Sequence, residues 1–261
     1  MFKEMSFVHP EAKIGANVEI GPFVYIDKDV EIGDGTVVMS HATILSGARI
    51  GKNVTIFPNA VISAVPQDLK FRGEVTTAVV GDNTTVRECV TINRGTASKG
   101  TTIVGSNCLL MAYSHIAHDC KLGDNIIIGN ASQIAGEVVI DDYAILSGSV
   151  LVHQFSHIGA HVIVQGGSRV GKDVPPYVTA GRDPLAYVGL NIVGLRRRGY
   201  TKEQISDIQN IYRLLYQSGL NTTQALMKIE EEIPESVEKE AVVSFLKSSI
   251  ISFHSASFSC W

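Results

Sequence analysis

The sequence predicts a mainly β protein, folded as a parallel β-helix of hexapeptide repeats with a C-terminal α-helical cap. Three observations support this fold class. Aliphatic residues recur at every sixth position over two long stretches, glycine or an acidic residue often follows them, and the regularity ends at Pro175-Pro176. Neither the 3.6-residue period of a helix nor the alternation of a simple strand produces a six-residue spacing, which is typical of β-helices.

The repeat also predicts the geometry of the coils. Each hexad is expected to form one short strand and a turn, and three hexads, about 18 residues, to close one triangular coil. Strands of successive coils then lie about 4.8 Å apart, so their aliphatic side chains stack into a core that no single coil could bury alone. The aliphatic positions are Val8, Ile14, Ile20, Ile26, Ile32, Val38, Ile44, Ile50, Ile56 and Ile62, and then Val104, Leu110, Ile116, Leu122, Ile128, Ile134, Ile140, Leu146, Val152, Ile158, Val164 and Val170.

The repeat is interrupted at residues 65–74 and again at 93–102. The first segment contains a proline and several charged residues, and we expect it to leave one edge of the β-helix as a loop of the kind that often carries function. The second is rich in glycine, serine and threonine, and its composition predicts only a polar loop.

A helical pattern replaces the repeat in the C-terminal part of the chain. Thr201 is a candidate N-cap, and Gly219 is a candidate stop for the first helix. We expect three helices, at 202–218, 222–233 and 236–251. A β-helix domain is therefore predicted at 1–190 and an α-helical domain at 191–261, which would cover the open end of the coils.

Composition excludes several classes of protein. The 261 residues carry a formal net charge of −4, which argues against nucleic-acid binding because neutralising phosphates needs a basic excess. No apolar run approaches the roughly 18 residues of a membrane span, and the first residues lack a signal-peptide hydrophobic region. The four cysteines have no paired spacing, and Cys108 and Cys120 occupy small-residue positions of their hexads, so inert core thiols are expected. These features predict a cytoplasmic protein.

Histidines converge on one edge of the predicted β-helix. Counting about 18 residues per coil places the hexads that start at Ile116, Ile134 and Val152 on one face of three successive coils. Six residues in or next to these hexads should then cluster along one edge, within about 10 Å of one another. These residues are His115, His118, Gly136, Glu137, His153 and Gln154.

Three interpretations of this cluster are open. The histidines could be surface residues without a function. Neighbouring imidazoles could also bind zinc. Alternatively, an imidazole could act as a general base near neutral pH, with Asp119 fixing the tautomer of His118. The last interpretation needs no serine or cysteine nucleophile if the attacking oxygen belongs to the substrate.

Five motifs together resemble a known family. They are His-Ile-Ala-His-Asp-Cys at 115–120, Gln-Asp-Leu-Lys at 67–70, Val-His-Gln-Phe at 152–155, Asp-Val-Pro-Pro-Tyr-Val at 173–178 and Asn-Ile-x-Gly-Leu-x-Arg-Arg-Gly at 191–199. These motifs resemble those of the acyl-[acyl-carrier-protein]–UDP-N-acetylglucosamine O-acyltransferases, which catalyse the first step of lipid A biosynthesis. The resemblance covers nearly the whole chain. The resemblance implies left-handed coils and a homotrimer with sites between neighbouring subunits. It also implies acyl carrier protein and UDP-N-acetylglucosamine as partners, without a cofactor or a bound metal.

The resemblance assigns roles to individual residues. His118 corresponds to the general base that deprotonates the 3-hydroxyl of the GlcNAc ring, and the Gly136 N–H corresponds to the oxyanion donor. Asp119, adjacent to His118, is the catalytic candidate that would fix its tautomer. Gly166 corresponds to the end of the acyl ruler, and since glycine leaves the groove open, we expect a long (R)-3-hydroxyacyl chain. Residues that correspond to sugar-nucleotide contacts are Gln67, Asp68, Lys70, His115, His153, Gln154, Asn191, Arg197 and Arg198.

The chain departs from the family pattern at two of these positions. Glu137 stands where many relatives carry histidine, and it is included among the substrate-binding candidates as a partner for a sugar hydroxyl. Val193 stands where many relatives carry glutamate and cannot accept a hydrogen bond from the nucleotide. Because acyl carrier protein is acidic, a basic docking patch is also expected, with candidates at Arg169, Lys172, Arg182 and Arg196.

Two further classes of function compete with this one. One is an acetyl-CoA-dependent hexapeptide acetyltransferase that needs no carrier protein. The other is a zinc-dependent hydratase similar to the gamma-class carbonic anhydrases, or a purely structural β-helix. The Gln-Asp-Leu-Lys loop and the Asn-Ile-x-Gly-Leu segment favour the O-acyltransferases, because neither competing class predicts them.

Overall fold

The computed structural model describes residues 5–255, and the side chains of residues 5–249. From residue 5 onward, the first part of the described chain consists of 27 short strands, most of them two residues long. In chain order they are β1 (Phe7–Val8), β2 (Lys13–Ile14), β3 (Glu19–Ile20), β4 (Tyr25–Ile26), β5 (Glu31–Ile32), β6 (Val37–Val38), β7 (Thr43–Ile44), β8 (Ala48–Ile50), β9 (Thr55–Ile56), β10 (Val61–Ala64), β11 (Thr77–Val80), β12 (Thr85–Val86), β13 (Thr91–Asn93), β14 (Thr101–Val104), β15 (Leu109–Leu110), β16 (His115–Ile116), β17 (Lys121–Leu122), β18 (Ile127–Ile128), β19 (Gln133–Ile134), β20 (Val139–Ile140), β21 (Ile145–Leu146), β22 (Leu151–Val152), β23 (His157–Ile158), β24 (Ile163–Val164), β25 (Arg169–Val170), β26 (Val178–Gly181) and β27 (Ala186–Leu190).

The strands form three parallel sheets that are the three faces of a left-handed β-helix, as predicted. The first sheet contains β1 and every third strand through β25, the second contains β2 through β23 in the same way, and the third contains β3 through β24 followed by β26 and β27. Only the pairing of β26 with β27 is antiparallel among the described strands. We call the turn from the first sheet to the second the first corner, and the turn from the second sheet to the third the second corner.

The register of the strands confirms the predicted coil length. Ile116 pairs with Ile134, which pairs in turn with Val152, so one coil advances the chain by 18 residues at these positions. The side chains of these aliphatic residues point inward and are at most 3% exposed. Stacked aliphatic positions of all three sheets thus form one continuous core, and each coil is stabilised by its neighbours.

Both interruptions of the repeat are loops at the first corner. Ile62 pairs with Ile92 and Ile92 with Ile116, so these two coils contain 30 and 24 residues instead of 18. The extra residues lie between β10 and β11 and between β13 and β14, where the chain passes from the first sheet to the second. The two loops are therefore neighbours of the corner that contains His118.

Within the described residues, four helices follow the strands: α1 (Ile192–Arg197), α2 (Lys202–Gln217), α3 (Thr222–Glu232) and α4 (Val237–Ser255). The three predicted helices are confirmed, and Thr201 caps α2 in a capping box with Gln204. Neither α1 nor the hairpin of β26 and β27 was predicted. The proposed boundary between domains falls between β27 and α1, and the division into two domains stays a prediction.

The helices pack on the last coil of the β-helix. The Tyr212 hydroxyl on α2 donates a hydrogen bond to the backbone oxygen of Pro176, and Phe245 on α4 packs on His157, with ring centroids 4.5 Å apart.

Within residues 5–255 no helix is long and apolar enough to cross a membrane. Cys108 and Cys120 are buried free thiols, and burial raises the pKa of Cys120 to about 12, so both fit the inert role expected of them. Cys260 lies outside the described residues.

Candidate active site

A cleft of about 400 Å³ opens at the first corner, where three successive coils align. His118, Gly136 and Gln154 occupy equivalent positions after β16, β19 and β22 and line this cleft. His115 and Gln67 line it as well. The remaining lining residues are Asn93, Ala117, Gln133, Ile134, Ala135, Leu151 and Val152.

The imidazole of His118 lies directly against Gly136. A Cβ atom built on Gly136 would be only 2.6 Å from Nε2 and Cε1 of His118, so a side chain at this position would displace the ring. The backbone N–H of Gly136 has no hydrogen-bond partner among the described residues. A free N–H next to an imidazole nitrogen is the combination that acyl transfer needs, because one group handles the proton and the other stabilises an oxyanion.

A buried carboxylate orients His118 from its other side. Nδ1 of His118 lies 2.8 Å from Oδ2 of Asp119, and Asp119 is fully buried. Burial alone would raise the pKa of Asp119, but hydrogen bonds from Thr96, His118 and the Lys99 N–H outweigh it and hold the pKa below its ordinary value. Asp119 is therefore an ionised acceptor, and a neutral His118 must carry its proton on Nδ1, which leaves Nε2 able to accept a proton.

His115, at the other end of the same motif, is a half-buried neutral imidazole. Burial lowers its pKa, a hydrogen bond with the Thr91 backbone opposes this shift, and the nearby His118 adds to it. Its Nδ1 is 2.7 Å from the Thr91 hydroxyl. A neutral ring fixed in this way can donate or accept one hydrogen bond in the cleft.

Several candidate residues lie near the cleft without lining it. Oδ1 of Asp68 accepts a hydrogen bond from the N–H of Lys70, whose side chain is exposed. Nδ1 of His153 lies 3.0 Å from the backbone oxygen of Gln154. Glu137 accepts a hydrogen bond from the Ser98 hydroxyl at 2.9 Å and pairs with Lys99 at 3.5 Å, so its carboxylate already has partners within the chain.

Other candidates lie elsewhere in the chain. Asn191 caps α1 by accepting a hydrogen bond from the Gly194 N–H, and it donates another to the backbone oxygen of His161 at the second corner. Arg198 donates to the Tyr143 backbone oxygen and lies 5.1 Å from the centroid of that ring. Arg197 is exposed at the end of α1. These residues, like Gly166 at the turn from the third sheet to the first, do not line the cleft of their own chain.

The sequence did not indicate the contribution of the second loop. Thr96 donates to Asp119 through both its N–H and its hydroxyl, yet the composition of 93–102 predicted only a polar loop.

Across the described part of the chain, no group of three or more histidine, cysteine, aspartate or glutamate side chains is arranged to hold a metal ion.

The repeat, the cleft at the first corner and the similarity to known protein families define the general class of this protein. Residues 101–136 match the family described as bacterial transferase hexapeptide (six repeats), residues 2–106 match the GMPPB C-terminal domain, and residues 173–252 match domain 2 of Udp N-acetylglucosamine O-acyltransferase. The chain is therefore a hexapeptide-repeat transferase.

Relatives that cover nearly the whole chain define the family. An acyl-[acyl-carrier-protein]–UDP-N-acetylglucosamine O-acyltransferase of Thermodesulfovibrio yellowstonii is 43% identical over 93% of this chain and 94% of its own length. The crystal structure of a UDP-N-acetylglucosamine acyltransferase from Bacteroides fragilis is 58% identical, with a TM-score of 0.94 and coverage of 95% of this chain and 98% of that one. The homologous structure from Acinetobacter baumannii is 39% identical, with a TM-score of 0.91 and coverage of 94% and 96%. The chain belongs to the acyl-[acyl-carrier-protein]–UDP-N-acetylglucosamine O-acyltransferase family.

Proposed function

We propose that this protein transfers a long (R)-3-hydroxyacyl chain from acyl carrier protein to the 3-hydroxyl of the GlcNAc in UDP-N-acetylglucosamine, the first step of lipid A biosynthesis. The observation that carries the proposal is the pairing, in one cleft, of Nε2 on His118 with the Gly136 N–H, neither of which has a hydrogen-bond partner within the described part of the chain. We further propose that the reaction takes place in the cytoplasm, where free thiols such as those of Cys108 and Cys120 persist.

The chemistry follows from this geometry. Nε2 of His118 takes the proton from the sugar hydroxyl as its oxygen attacks the thioester carbonyl carbon. The N–H of Gly136 donates to the resulting oxyanion, an interaction worth about 3 kcal/mol in comparable enzymes. As the C–S bond breaks, the protonated imidazole returns the proton to the leaving thiolate of the carrier protein, so the products are the acylated sugar nucleotide and the free thiol.

The substrate-binding candidates fall into two groups. Gln67, His115 and Gln154 line the cleft and would hold the sugar nucleotide there, with Asp68, Lys70, Glu137 and His153 around them. Asn191, Arg197 and Arg198 would come from a neighbouring subunit, because they lie away from the cleft in their own chain. A homotrimer would supply them, and arginine forks are suited to the diphosphate.

The donor side is proposed in the same way. Gly166 would mark the end of the groove for the acyl chain. Arg169 and Lys172 line a second cavity of about 800 Å³ between the last coil, the β26–β27 hairpin and α2. They, with Arg182 and Arg196, are the proposed contacts for the acidic carrier protein.

One experiment tests the function. The protein is mixed with UDP-N-acetylglucosamine and a panel of 3-hydroxyacyl carrier proteins, and the product is followed by mass spectrometry. We expect transfer from carrier protein and none from acetyl-CoA, and we expect His118→Ala to lose nearly all turnover while the folded oligomer is retained in size-exclusion chromatography. Turnover with acetyl-CoA alone would support the competing acetyltransferase function. Substantial activity of His118→Ala would exclude His118 as the general base.

A further inference from the structure

The loop between β13 and β14, residues 94–100, closes over the buried carboxylate of Asp119. Oδ1 of Asp119 accepts hydrogen bonds from the N–H groups of Thr96 and Lys99, at 3.0 and 3.2 Å. Oδ2 accepts from the Thr96 hydroxyl at 2.6 Å and lies 2.8 Å from Nδ1 of His118. The same oxygen that fixes the imidazole is thus bound by the hydroxyl of Thr96.

The loop is held in place by contacts on both of its sides. On the inner side, Nζ of Lys99 lies 3.3 Å from the backbone oxygen of Asp119, and just past the loop the hydroxyl of Thr102 on β14 accepts a hydrogen bond from the Asp119 N–H. On the outer side, the Ser98 hydroxyl donates to Glu137 in the next coil. Thr96 is 7% exposed, and its hydroxyl also accepts a hydrogen bond from the Ser98 N–H at 3.2 Å.

These hydrogen bonds determine which ring nitrogen of His118 carries the proton. The Ser98 N–H occupies the Thr96 hydroxyl as an acceptor, so the hydroxyl hydrogen is directed at Asp119. With only donors around it, the carboxylate stays ionised and accepts from Nδ1 of His118. A carboxylate that lost the hydroxyl of Thr96 would be less completely satisfied in its buried position, and it would hold the ring less firmly.

We propose that Thr96 is a positioning residue of the transferase, whose hydroxyl holds Asp119 as the acceptor that keeps Nε2 of His118 unprotonated and aimed at Gly136. In this arrangement Glu137 anchors the loop through Ser98 and Lys99. The inference rests on the proposed function, because it concerns the base of that reaction. It adds a side chain from a loop that does not line the cleft.

Kinetics of three variants test the role of Thr96. Thr96→Val keeps the size of the side chain and removes the hydroxyl, and we expect kcat to fall by about 10- to 100-fold, as for loss of one hydrogen bond to a buried charge, with KM for UDP-N-acetylglucosamine unchanged. Thr96→Ser keeps the hydroxyl and should stay within threefold of the native kcat. Thr101→Val is the matched control, because the hydrogen bonds of the Thr101 hydroxyl are to Thr77 and to the Thr102 backbone oxygen rather than to Asp119, and it should leave kcat unchanged.

A second measurement reads the tautomer without turnover. The nitrogen NMR shifts of the His118 ring, assigned by comparison with His118→Ala, should show Nδ1 protonated and Nε2 unprotonated in the neutral ring of the native protein. Thr96→Val should show a mixture of tautomers, whereas Thr96→Ser should keep the native shifts.

The outcomes separate the two claims. Native-like kcat in Thr96→Val, equal losses in Thr96→Ser and Thr96→Val, or a change in KM alone would overturn the positioning role. A native His118 protonated on Nε2 would also overturn it, even if Thr96→Val failed to fold. By contrast, absence of transfer by the native protein from every donor would contradict the proposed function and leave the NMR result to decide the role of Thr96.

Discussion

Gly136 provides the sharpest quantitative test of the active-site geometry. In Gly136→Ala the new Cβ would lie 2.6 Å from two ring atoms of His118, whereas ordinary contacts begin near 3.4 Å, so the imidazole must move by about 0.8 Å. The ring cannot follow freely, because Asp119 holds Nδ1 at 2.8 Å. Misplacing a reacting group by about 1 Å costs about 100-fold in rate. We therefore expect kcat of Gly136→Ala to fall by about 100-fold, although alanine keeps the backbone N–H.

The assay measures initial rates of acyl transfer at saturating substrate by mass spectrometry, with circular dichroism to verify the fold. Gly171→Ala is the matched control. Gly171 lies at the same first corner, and a Cβ built there meets no atom within 4 Å, so this variant should keep the native rate. A Gly136→Ala enzyme within threefold of native would show that the imidazole does not lie against Gly136 during catalysis. Equal losses in both variants would assign the effect to the corner rather than to the contact.

Two further predictions concern the acyl groove and a buried histidine. Gly166→Leu should shift the donor preference towards shorter acyl chains, because even the Cβ of the new side chain would lie 3.1 Å from the Gly148 backbone oxygen. A competition assay with carrier proteins that bear acyl chains of different lengths measures this preference. An unchanged preference would contradict the role of Gly166 as the end of the acyl ruler. Burial, and then the charge of Arg198, lower the pKa of His161 to about 4. Between pH 4 and its ordinary value of about 6.5 the unfolded chain binds a proton that the folded chain does not, so the free energy of unfolding should fall by about 2 to 3 kcal/mol from pH 7 to 4.5. In denaturant titrations at fixed protein concentration His161→Gln should lose most of this dependence, whereas the variant of the exposed corner histidine, His41→Gln, should keep it.

The sequence predicted those features of the fold that depend on counting. Because each coil returns the chain to the same face, spacing alone aligned Ile116, Ile134 and Val152, and the strand register agrees. Helices α2 to α4 were predictable because caps and apolar periodicity are local signals. The hairpin of β26 and β27 was not, because an antiparallel pair of strands has no counterpart in a six-residue period.

The candidate site was less predictable where it depends on the path of a loop. Thr96 is 23 residues from Asp119 in sequence, and no periodicity relates a residue in an interruption to one in the next coil. Asn191 shows a different difficulty. Its motif suggested a nucleotide contact, but within one chain its side chain caps α1 and bonds to His161, so a role in binding requires these contacts to be shared with the ligand or exchanged for it.

The position of the two interruptions explains how a uniform repeat produces a specific site. A regular coil presents the same backbone at every level, and nothing in the repeat distinguishes one corner from another. Both inserted loops leave the stack at the first corner, in the two coils that immediately precede the coil that contains His118. Asp119 has a φ of +60°, a left-handed conformation that is uncommon for residues other than glycine but tolerated by aspartate. The stacked coils impose this conformation, and the loop that carries Thr96 satisfies the carboxylate it buries. The proposed catalytic geometry therefore depends on a rigid coil that fixes the backbone and on an inserted loop that fixes the position of the proton on His118.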